Sequence, residues 1–379
     1  MKVRALARAL GRRGHRVTVL TADLGLGSPN RFSIHIERSR WGWRYMEDSV
    51  EAIYFPTWAR YRALTLNPGV IGFCRASLAD FDVVHIYGLY DLLGPLVSHF
   101  CGSRGIPYMI EPMGMYRPID RSFRAKRIWH RTLGRALHRH AARFIATSEM
   151  EQQELVADGI SAEKVVVRYN GIDADMGANL PPRGTFRAKW NLPPGEPMVF
   201  FLSRLIPRKG ADILIEAFAQ ACPQDGRLVI AGPEGESGIR SRLEKLAKDL
   251  GIGARVIFTG PIYDQEKKAA LADADVFVLP SRYENFANVA AEAMACGVPV
   301  ILTEFCGIRT LVEGRAGLVA ARNTASFAAA LRTLLQDRAL HSRFQQGCAE
   351  VTRELSWDQL SEQMEKLYRS AIANAHEIR

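Results

Sequence analysis

Short runs of β-branched and aromatic residues alternate with helix-period segments through nearly the whole chain, and this alternation restricts the fold more than any other feature. In the first half the runs are Arg16–Ala22, Val83–Gly88, Tyr108–Pro112, Arg143–Ser148 and Lys164–Tyr169. In the second they are Met198–Ser203, Arg227–Gly232, Arg255–Gly260, Asp275–Pro280 and Pro299–Thr303. Between them lie segments with apolar residues at three- and four-residue steps, such as Ala211–Ala221, Ile239–Leu250 and Val289–Cys296. Strands so continuously apolar must be buried on both faces, which assigns them to parallel sheets covered by helices. Two such series in 379 residues imply an α/β chain of two Rossmann-like domains.

The boundary is legible as well. Asn170-Gly171-Ile172-Asp173 closes the first series, and a polar passage containing Pro181-Pro182 and Pro193-Pro194-Gly195 leads to a fresh strand at Met198. The domains are therefore expected at residues 1–175 and 176–355. Residues 356–379 contribute a last amphipathic helix with Trp357, Leu360, Met364, Leu367 and Tyr368 on its apolar side. Ligands of such sheets bind beyond the carboxyl ends of the strands, so the expected site is a cleft faced by both sheets.

The net charge of +10 is unevenly spread. Residues 1–178 hold 25 Lys and Arg against 17 Asp and Glu, and between Arg117 and Arg143 nine basic residues face one acid, Asp120. Such a field attracts anionic lipid head groups, phosphorylated small molecules or nucleic acid. Arg124, Arg127, Arg131, Arg135 and Arg139 recur at three- and four-residue steps and form one helical stripe, with Phe123, Trp129, Leu133 and Leu137 elsewhere on that helix. The stripe reads as an acceptor or membrane-facing surface, or else as a solvated cationic face. The six cysteines are scattered without metal spacing, and no apolar stretch is long and clean enough to be a signal or a bilayer span. That combination leads to the expectation of a cytoplasmic protein with reduced thiols, bound at most peripherally to a membrane.

Three features of the second half converge on phosphate and polyol chemistry. Ser203-Arg204-Leu205-Ile206-Pro207-Arg208-Lys209-Gly210 follows a buried strand and opens a helix, placing two cations where a diphosphate could bind. In Pro280-Ser281-Arg282-Tyr283-Glu284-Asn285-Phe286-Ala287-Asn288-Val289 a strand ends, a loop carries Glu284, and a helix begins near Asn288. The N–H groups of Ala287 to Val289 and the helix dipole suit phosphate oxygens. Glu292 lies one turn in, where it can accept from a ribose diol, and Glu284 precedes the helix, where it can accept from sugar hydroxyls. The third feature, Glu313-Gly314-Arg315-Ala316-Gly317-Leu318-Val319, is by itself a turn. Asp273-Ala274-Asp275 looks like a metal-binding pair, but it stands at the start of a strand and reads as a helix–strand junction.

Arg204, Lys209 and the Glu284-x7-Glu292 pair, followed by Ala-Met-Ala-Cys-Gly-Val-Pro-Val, resemble the donor site of GT-B glycosyltransferases of family 4. Gly14-His15-Arg16-Val17-Thr18-Val19-Leu20, Asn170-Gly171-Ile172-Asp173 and Ser356-Trp357 extend that resemblance over essentially the whole chain. It implies a GT-B architecture whose last helix crosses back to the first domain. It further implies a retaining, metal-independent transfer of a hexose-type sugar from a nucleotide diphosphate, with UDP or GDP as carrier, to a glycan or lipid-linked acceptor, as in polysaccharide biosynthesis. Arg204 and Lys209 would clamp the diphosphate, Glu284 would hold the transferred sugar and Glu292 the ribose. The loop residues Asn285, Phe286, Ala287, Asn288 and Val289 would complete the donor site. No cofactor beyond the nucleotide sugar is expected.

The pattern departs from the family in two places. Met113 stands where relatives carry His, which leaves His85, at the end of its strand, as a candidate for a polar contact to the sugar, and Glu111 as a weaker one. The chain also opens in the helix Val3–Arg12, so the first domain is expected to lack its first strand, with exposed strand edges and the alternative of a GT-B-like protein without activity. A basic nucleic-acid-binding protein is the other competing reading, against which no recognition helix, zinc spacing or aromatic–basic strand pattern is found. A sugar-nucleotide epimerase or a phosphorylase of the same shape stays open. No Gly-x4-Gly-Lys-Ser/Thr supports ATP chemistry, and Gly232-Pro-Glu-Gly235-Glu-Ser-Gly238 has the wrong spacing for a redox dinucleotide.

Overall fold

The computed structural model describes residues 2–24, 26, 36–62, 64–116, 128–222 and 226–377. Two compact units emerge: Met1–Gly171 with Trp357–Arg379, and Ile172–Ser356. The break falls within the Asn-Gly-Ile-Asp passage, slightly before the expected one, and the last helix belongs to the first unit.

In the first unit, strands β1 (Val17–Ala22), β2 (Glu37–Ser39), β3 (Gly42–Glu47) and β4 (Val50–Phe55) form a sheet in the order β1-β4-β3-β2. β1 and β4 are parallel from Val17↔Val50 to Ala22↔Phe55, whereas β2, β3 and β4 form an antiparallel meander. This corrects the expectation of wholly parallel sheets. β2 is a mostly exposed edge strand and β3, between β2 and β4, is half-exposed; both mix polar and apolar residues, so they carry no continuous apolar run. β5 (Ala59–Tyr61) and β6 (Leu64–Leu66) form a separate antiparallel hairpin. β7 (Val84–Tyr87), β8 (Tyr108–Glu111), β9 (Arg143–Ala146) and β10 (Val165–Val167) form a second, fully parallel sheet in the order β10-β9-β8-β7.

Among the described residues β1 and β7 each have one sheet neighbour, so the first unit holds two four-stranded sheets where one was expected. They share both hydrophobic clusters of the unit. Ile53 and Phe55 lie with Ile86, Ile110 and Phe144 in one. Leu6 and Leu10 of the helix Lys2–Arg12 lie with Met109, Ile145, Trp357, Leu360 and Met364 in the other. The final helix, Trp357–Glu377, thus buries the face read from its sequence.

The second unit is one six-stranded parallel sheet: β11 (Met198–Leu202), β12 (Arg227–Ala231), β13 (Val256–Gly260), β14 (Val276–Leu279), β15 (Val300–Thr303) and β16 (Gly317–Ala320). Its order is β13-β12-β11-β14-β15-β16. Every residue of β11, β14 and β15 is buried, as the unbroken apolar runs require. The chain builds outward from β11 to β13, then returns to β14 on the other side of β11. The β11/β14 junction is therefore a topological switch point, the place where open α/β sheets bind ligands.

Candidate donor site

The switch point collects the sequence-selected residues of the second unit. The loop after β11 carries Arg204 and Lys209, and the loop after β14 carries Ser281 and Glu284. Gly210, at φ +74°, lets the two loops meet, since a Cβ there would stand 2.3 Å from the Pro280 carbonyl oxygen. Arg282 N–H donates to the Arg208 carbonyl at 2.8 Å and seals the contact.

Lys209 is buried, and its ammonium pairs with Glu284 Oε1. Ser281 Oγ donates to the same oxygen at 3.0 Å. The backbone of Glu284 is held in turn by the loop after β15: its N–H donates to the Phe305 carbonyl at 3.0 Å, and its carbonyl accepts from Gly307 N–H at 2.9 Å. Thr303 Oγ1 reaches the Ser281 carbonyl at 2.7 Å. Cys306 lies buried beside this carboxylate, and burial, reinforced by the Glu284 charge, pushes its thiol up to about 12. It is thus an inert wall of the site. Arg204 is exposed and has no hydrogen-bond or ion-pair partner among the described residues. One buried cation is thus held by protein and a second is left to the solvent, both in the loop that follows one buried strand.

The helix Asn288–Ala295 follows directly, with Ala287 at its start in the left-handed region, φ +69° and ψ +62°. Phe286 and Ala287 are buried and Asn288 is exposed, so the loop packs inward while the helix end opens outward. Glu292, one turn in, forms an ion pair with Lys267 of the helix Asp264–Asp273, Nζ to Oε2 at 3.0 Å. The structure therefore puts Lys209 in contact with Glu284, places the Asn285–Val289 turn and Glu292 directly after it, and sets Arg204 on the same loop as Lys209, beside the loop after β12 where Leu205 N–H donates to the Pro233 carbonyl at 2.9 Å. Sequence reasoning missed Lys267, Ser281 and Thr303. Ser281 had a signal, since it directly follows the strand-ending Pro280; Lys267 had none, being far along the chain on another helix.

A cavity of about 240 Å³ adjoins these loops at the carboxyl ends of β11, β12 and β13, lined in part by Leu205, Gly232, Glu234 and Arg240. A larger one, about 930 Å³, lies in the first unit between Tyr116, His138, Arg139 and Lys164. It borders the amino ends of β9 and β10, so topology favours the smaller cavity as the one that belongs to the site.

His85 is placed differently from the sequence reading. It is the second residue of a four-residue strand, not its end. Its ring is buried, with Nδ1 2.7 Å from Tyr368 Oη on the last helix and Nε2 3.5 Å from Glu111 Oε2. Burial, and then the charge of Arg168, holds its pKa well below the ordinary histidine value. Glu111 is likewise committed, to an ion pair with the buried Arg168. Asp273 and Asp275 serve the helix–strand junction. Asp273 accepts from the backbone of Gly184 and Arg187, and Asp275 accepts from Met198 N–H at 2.8 Å while pairing with Arg183 and Arg187. Of the basic stripe, Arg135 and Arg139 are exposed, Leu137 is buried and Leu133 is exposed, on a helix whose segment His130–Gly134 is π-helical. Arg124, Arg127 and the side chain of Arg131 lie outside the described residues.

A parallel α/β unit with two cations and a carboxylate in the loops at its switch point, in a chain with a second α/β unit, has the architecture of a GT-B type glycosyltransferase. Residues 182–350 match the model of glycosyl transferases group 1, and residues 2–171 that of the glycosyl transferase 4-like domain. The D-inositol 3-phosphate glycosyltransferase 1 of Catenulispora acidiphila is 32% identical over 80% of this chain and 77% of its own. A D-inositol 3-phosphate glycosyltransferase of Streptomyces bingchenggensis is 35% identical over 63% of this chain, which spans only 55% of that relative's length. Among solved structures, sucrose-phosphate synthase from Thermosynechococcus elongatus superposes with a TM-score of 0.71 over 98% of this chain and 93% of its own, at 24% identity. Anabaena HepE in complex with UDP superposes with a TM-score of 0.73 over 94% of this chain and all of its own, at 20% identity. The chain belongs to the glycosyl transferases group 1 family, and its enzyme class is glycosyltransferase.

Proposed function

We propose that this enzyme moves a hexose-type sugar from a nucleotide diphosphate to a glycan or lipid-linked acceptor, with retention of anomeric configuration and without a metal ion. The observation that supports this reading best is the gathering of Arg204, Lys209 and Glu284 at the β11/β14 switch point. Arg204 offers a planar fork to phosphate oxygens, and Lys209 can share its three donors between Glu284 and the diphosphate. Together they neutralise the charge that develops on the leaving diphosphate, which is where electrostatic catalysis acts most strongly. Glu284, fixed by Lys209 and Ser281, accepts from hydroxyls of the transferred sugar, and Glu292 accepts from the ribose diol. In the transfer the C1–O bond to the diphosphate breaks and the acceptor oxygen bonds to C1 on the same face. The acceptor proton passes to the departing phosphate oxygen.

UDP is the favoured carrier, because a structurally similar protein, Anabaena HepE, was solved with UDP and with UDP-glucose. An anionic acceptor or membrane surface is consistent with the exposed Arg135 and Arg139. Calorimetric titration with UDP, GDP and their sugars tests the donor half. Binding of one nucleotide that is weakened by both Lys209→Ala and Glu292→Ala is expected. If neither nucleotide binds while random duplex DNA binds with a steep salt dependence, the basic first half becomes the function and this reading fails.

A further inference from the structure

The hairpin β5–β6 carries a surface that the donor site leaves unexplained. Its register pairs Ala59 with Leu66, Arg60 with Thr65 and Tyr61 with Leu64. Side chains alternate across a strand pair, so Ala59, Tyr61, Leu64 and Leu66 share one face. That face is unpartnered: Tyr61 is 69% exposed and Leu66 45%. Trp58, at the base of the hairpin, is 76% exposed, the most exposed large apolar residue among those described. All five residues Trp58–Arg62 are exposed, although they alternate between the two faces, so this first strand stands out from the unit while the second, with Thr65 buried, anchors the hairpin to it.

Charge accompanies the apolar face. Arg60 Nε donates to the Arg62 carbonyl at 2.8 Å, and the Arg62 guanidinium stands 5.6 Å from the centre of the Tyr61 ring. Between Glu51 and Asp80 the sequence has three arginines, Arg60, Arg62 and Arg75, and no acid. The hairpin springs from the carboxyl end of β4, whose loop is tied to that of β1 by Thr57 N–H donating to Asp23 Oδ1 at 3.0 Å. It therefore stands at the carboxyl-end edge of the β1/β4 sheet, the edge at which parallel sheets present ligands.

We propose that this hairpin is an interfacial anchor that docks the first unit on an anionic lipid surface. An indole and a phenol with polar tips, two leucines and two flanking guanidiniums are the side chains that partition to the headgroup level, the rings and leucines immersed and the arginines on lipid phosphates. Trp58 stands on the side of the strand opposite Tyr61, so the exposed first strand offers an aromatic ring on each side, which suits insertion of that edge into a bilayer boundary better than the enclosed contact a sugar ring would need. Docking here brings the carboxyl-end edge of the sheet to the membrane, where a lipid-linked acceptor resides. The proposal deepens the acceptor part of the reading above, but binding to lipid is measured without nucleotide, so either can fail alone.

The test is co-sedimentation of the full chain with vesicles of phosphatidylcholine alone and of phosphatidylcholine with phosphatidylglycerol. Binding is expected for the anionic vesicles only, weakening as salt is raised. Trp58→Ser with Tyr61→Ser is expected to lower the partition coefficient at least about tenfold. Arg60→Gln and Arg62→Gln should each lower it about fivefold. Trp58 and Tyr61 are so exposed that the melting temperature should hold, and an unchanged melt excludes misfolding as the cause. Equal binding by the hairpin variants, or loss confined to Arg135→Gln with Arg139→Gln, overturns the proposal in favour of the basic helix. A wild-type dimer that the hairpin variants convert to monomer, with no vesicle binding, overturns it in favour of a second copy as occupant.

Discussion

At the scale of single residues, the two cations of the site separate by what holds them. Lys209 is buried against Glu284, so Lys209→Ala leaves a half-buried carboxylate without its counter-charge. A fall in both transfer rate and melting temperature is expected. Arg204 is exposed with no partner to lose among the described residues, so Arg204→Ala should leave the melt unchanged. Its kcat/KM is nonetheless expected to drop by about 3 kcal/mol of transition-state stabilisation, the scale of one preorganised charge contact. Steady-state kinetics beside thermal melts distinguish the two; an Arg204 variant with wild-type kinetics would remove it from the diphosphate clamp. Ala287 gives a second residue-scale expectation. It holds a left-handed backbone at φ +69° while buried, a conformation that costs a residue with a Cβ about 1–2 kcal/mol. Ala287→Gly should raise stability by up to that amount, and Ala287→Val should lower it. If Gly is neutral in denaturant melts, the strain is absent.

At the scale of elements, legibility followed burial. The five strands of the second unit named from sequence match β11 to β15 within a residue or two, because β11, β12, β14 and β15 are apolar runs covered on both faces and the edge strand β13 still opens on Val256-Ile257-Phe258. The sequence of β16 reads as a turn, since Gly317 and the preceding Gly314 look like loop chemistry. Gly317 instead lets β16 run against β15, where a Cβ would stand 1.9 Å from the Val300 carbonyl oxygen. No segment between Ala22 and Val83 reads as a strand in the sequence, yet β2 to β6 lie there. They mix polar with apolar residues, and β2, β3 and β4 are joined by two-residue turns at Arg40-Trp41 and Asp48-Ser49, so neither apolar continuity nor a Gly-rich turn announces them. The candidate site was legible where its residues cluster in one motif. Its support was not, because Lys267 and Thr303 reach it from other elements. His85 was misread for the same reason: Tyr368, its partner, is 283 residues away. The last helix supplies the check on this scale. Met364 is fully buried against Leu6, Leu10, Met109 and Ile145, so Met364→Ala should destabilise the first unit by about 3 kcal/mol. A cost under about 1 kcal/mol in urea melts would mean that the helix docks only loosely.

At the scale of the whole molecule, the two units should differ in their response to acid. In the first unit, burial, with the neighbouring His130 adding to it, lowers the pKa of His138 from 6.5 to about 4. Its ring centre lies 5.3 Å from that of Tyr116 and 5.5 Å from that of Phe144, an apolar setting that disfavours the imidazolium. The folded state thus resists a proton that the unfolded chain accepts. Between pH 6.5 and 4 the unfolded state binds more protons, so stability falls as pH falls, on the order of 3 kcal/mol across the window. His85 acts in the same sense. Glu111 and Asp91, raised by burial, act in the opposite sense, because their folded forms take up protons more readily than the unfolded chain does. The His138 contribution is therefore isolated by difference. His138→Leu, matched to the aromatic surroundings, should be less acid-sensitive than the wild type. The stability of the variant relative to the wild type should rise steadily from pH 6.5 to 4 and stay flat above pH 7. His138 lies in the first unit, so scanning calorimetry across this range should show the shift in the transition that the His138 substitution moves. Parallel pH profiles for variant and wild type would show that His138 is protonated as easily folded as unfolded.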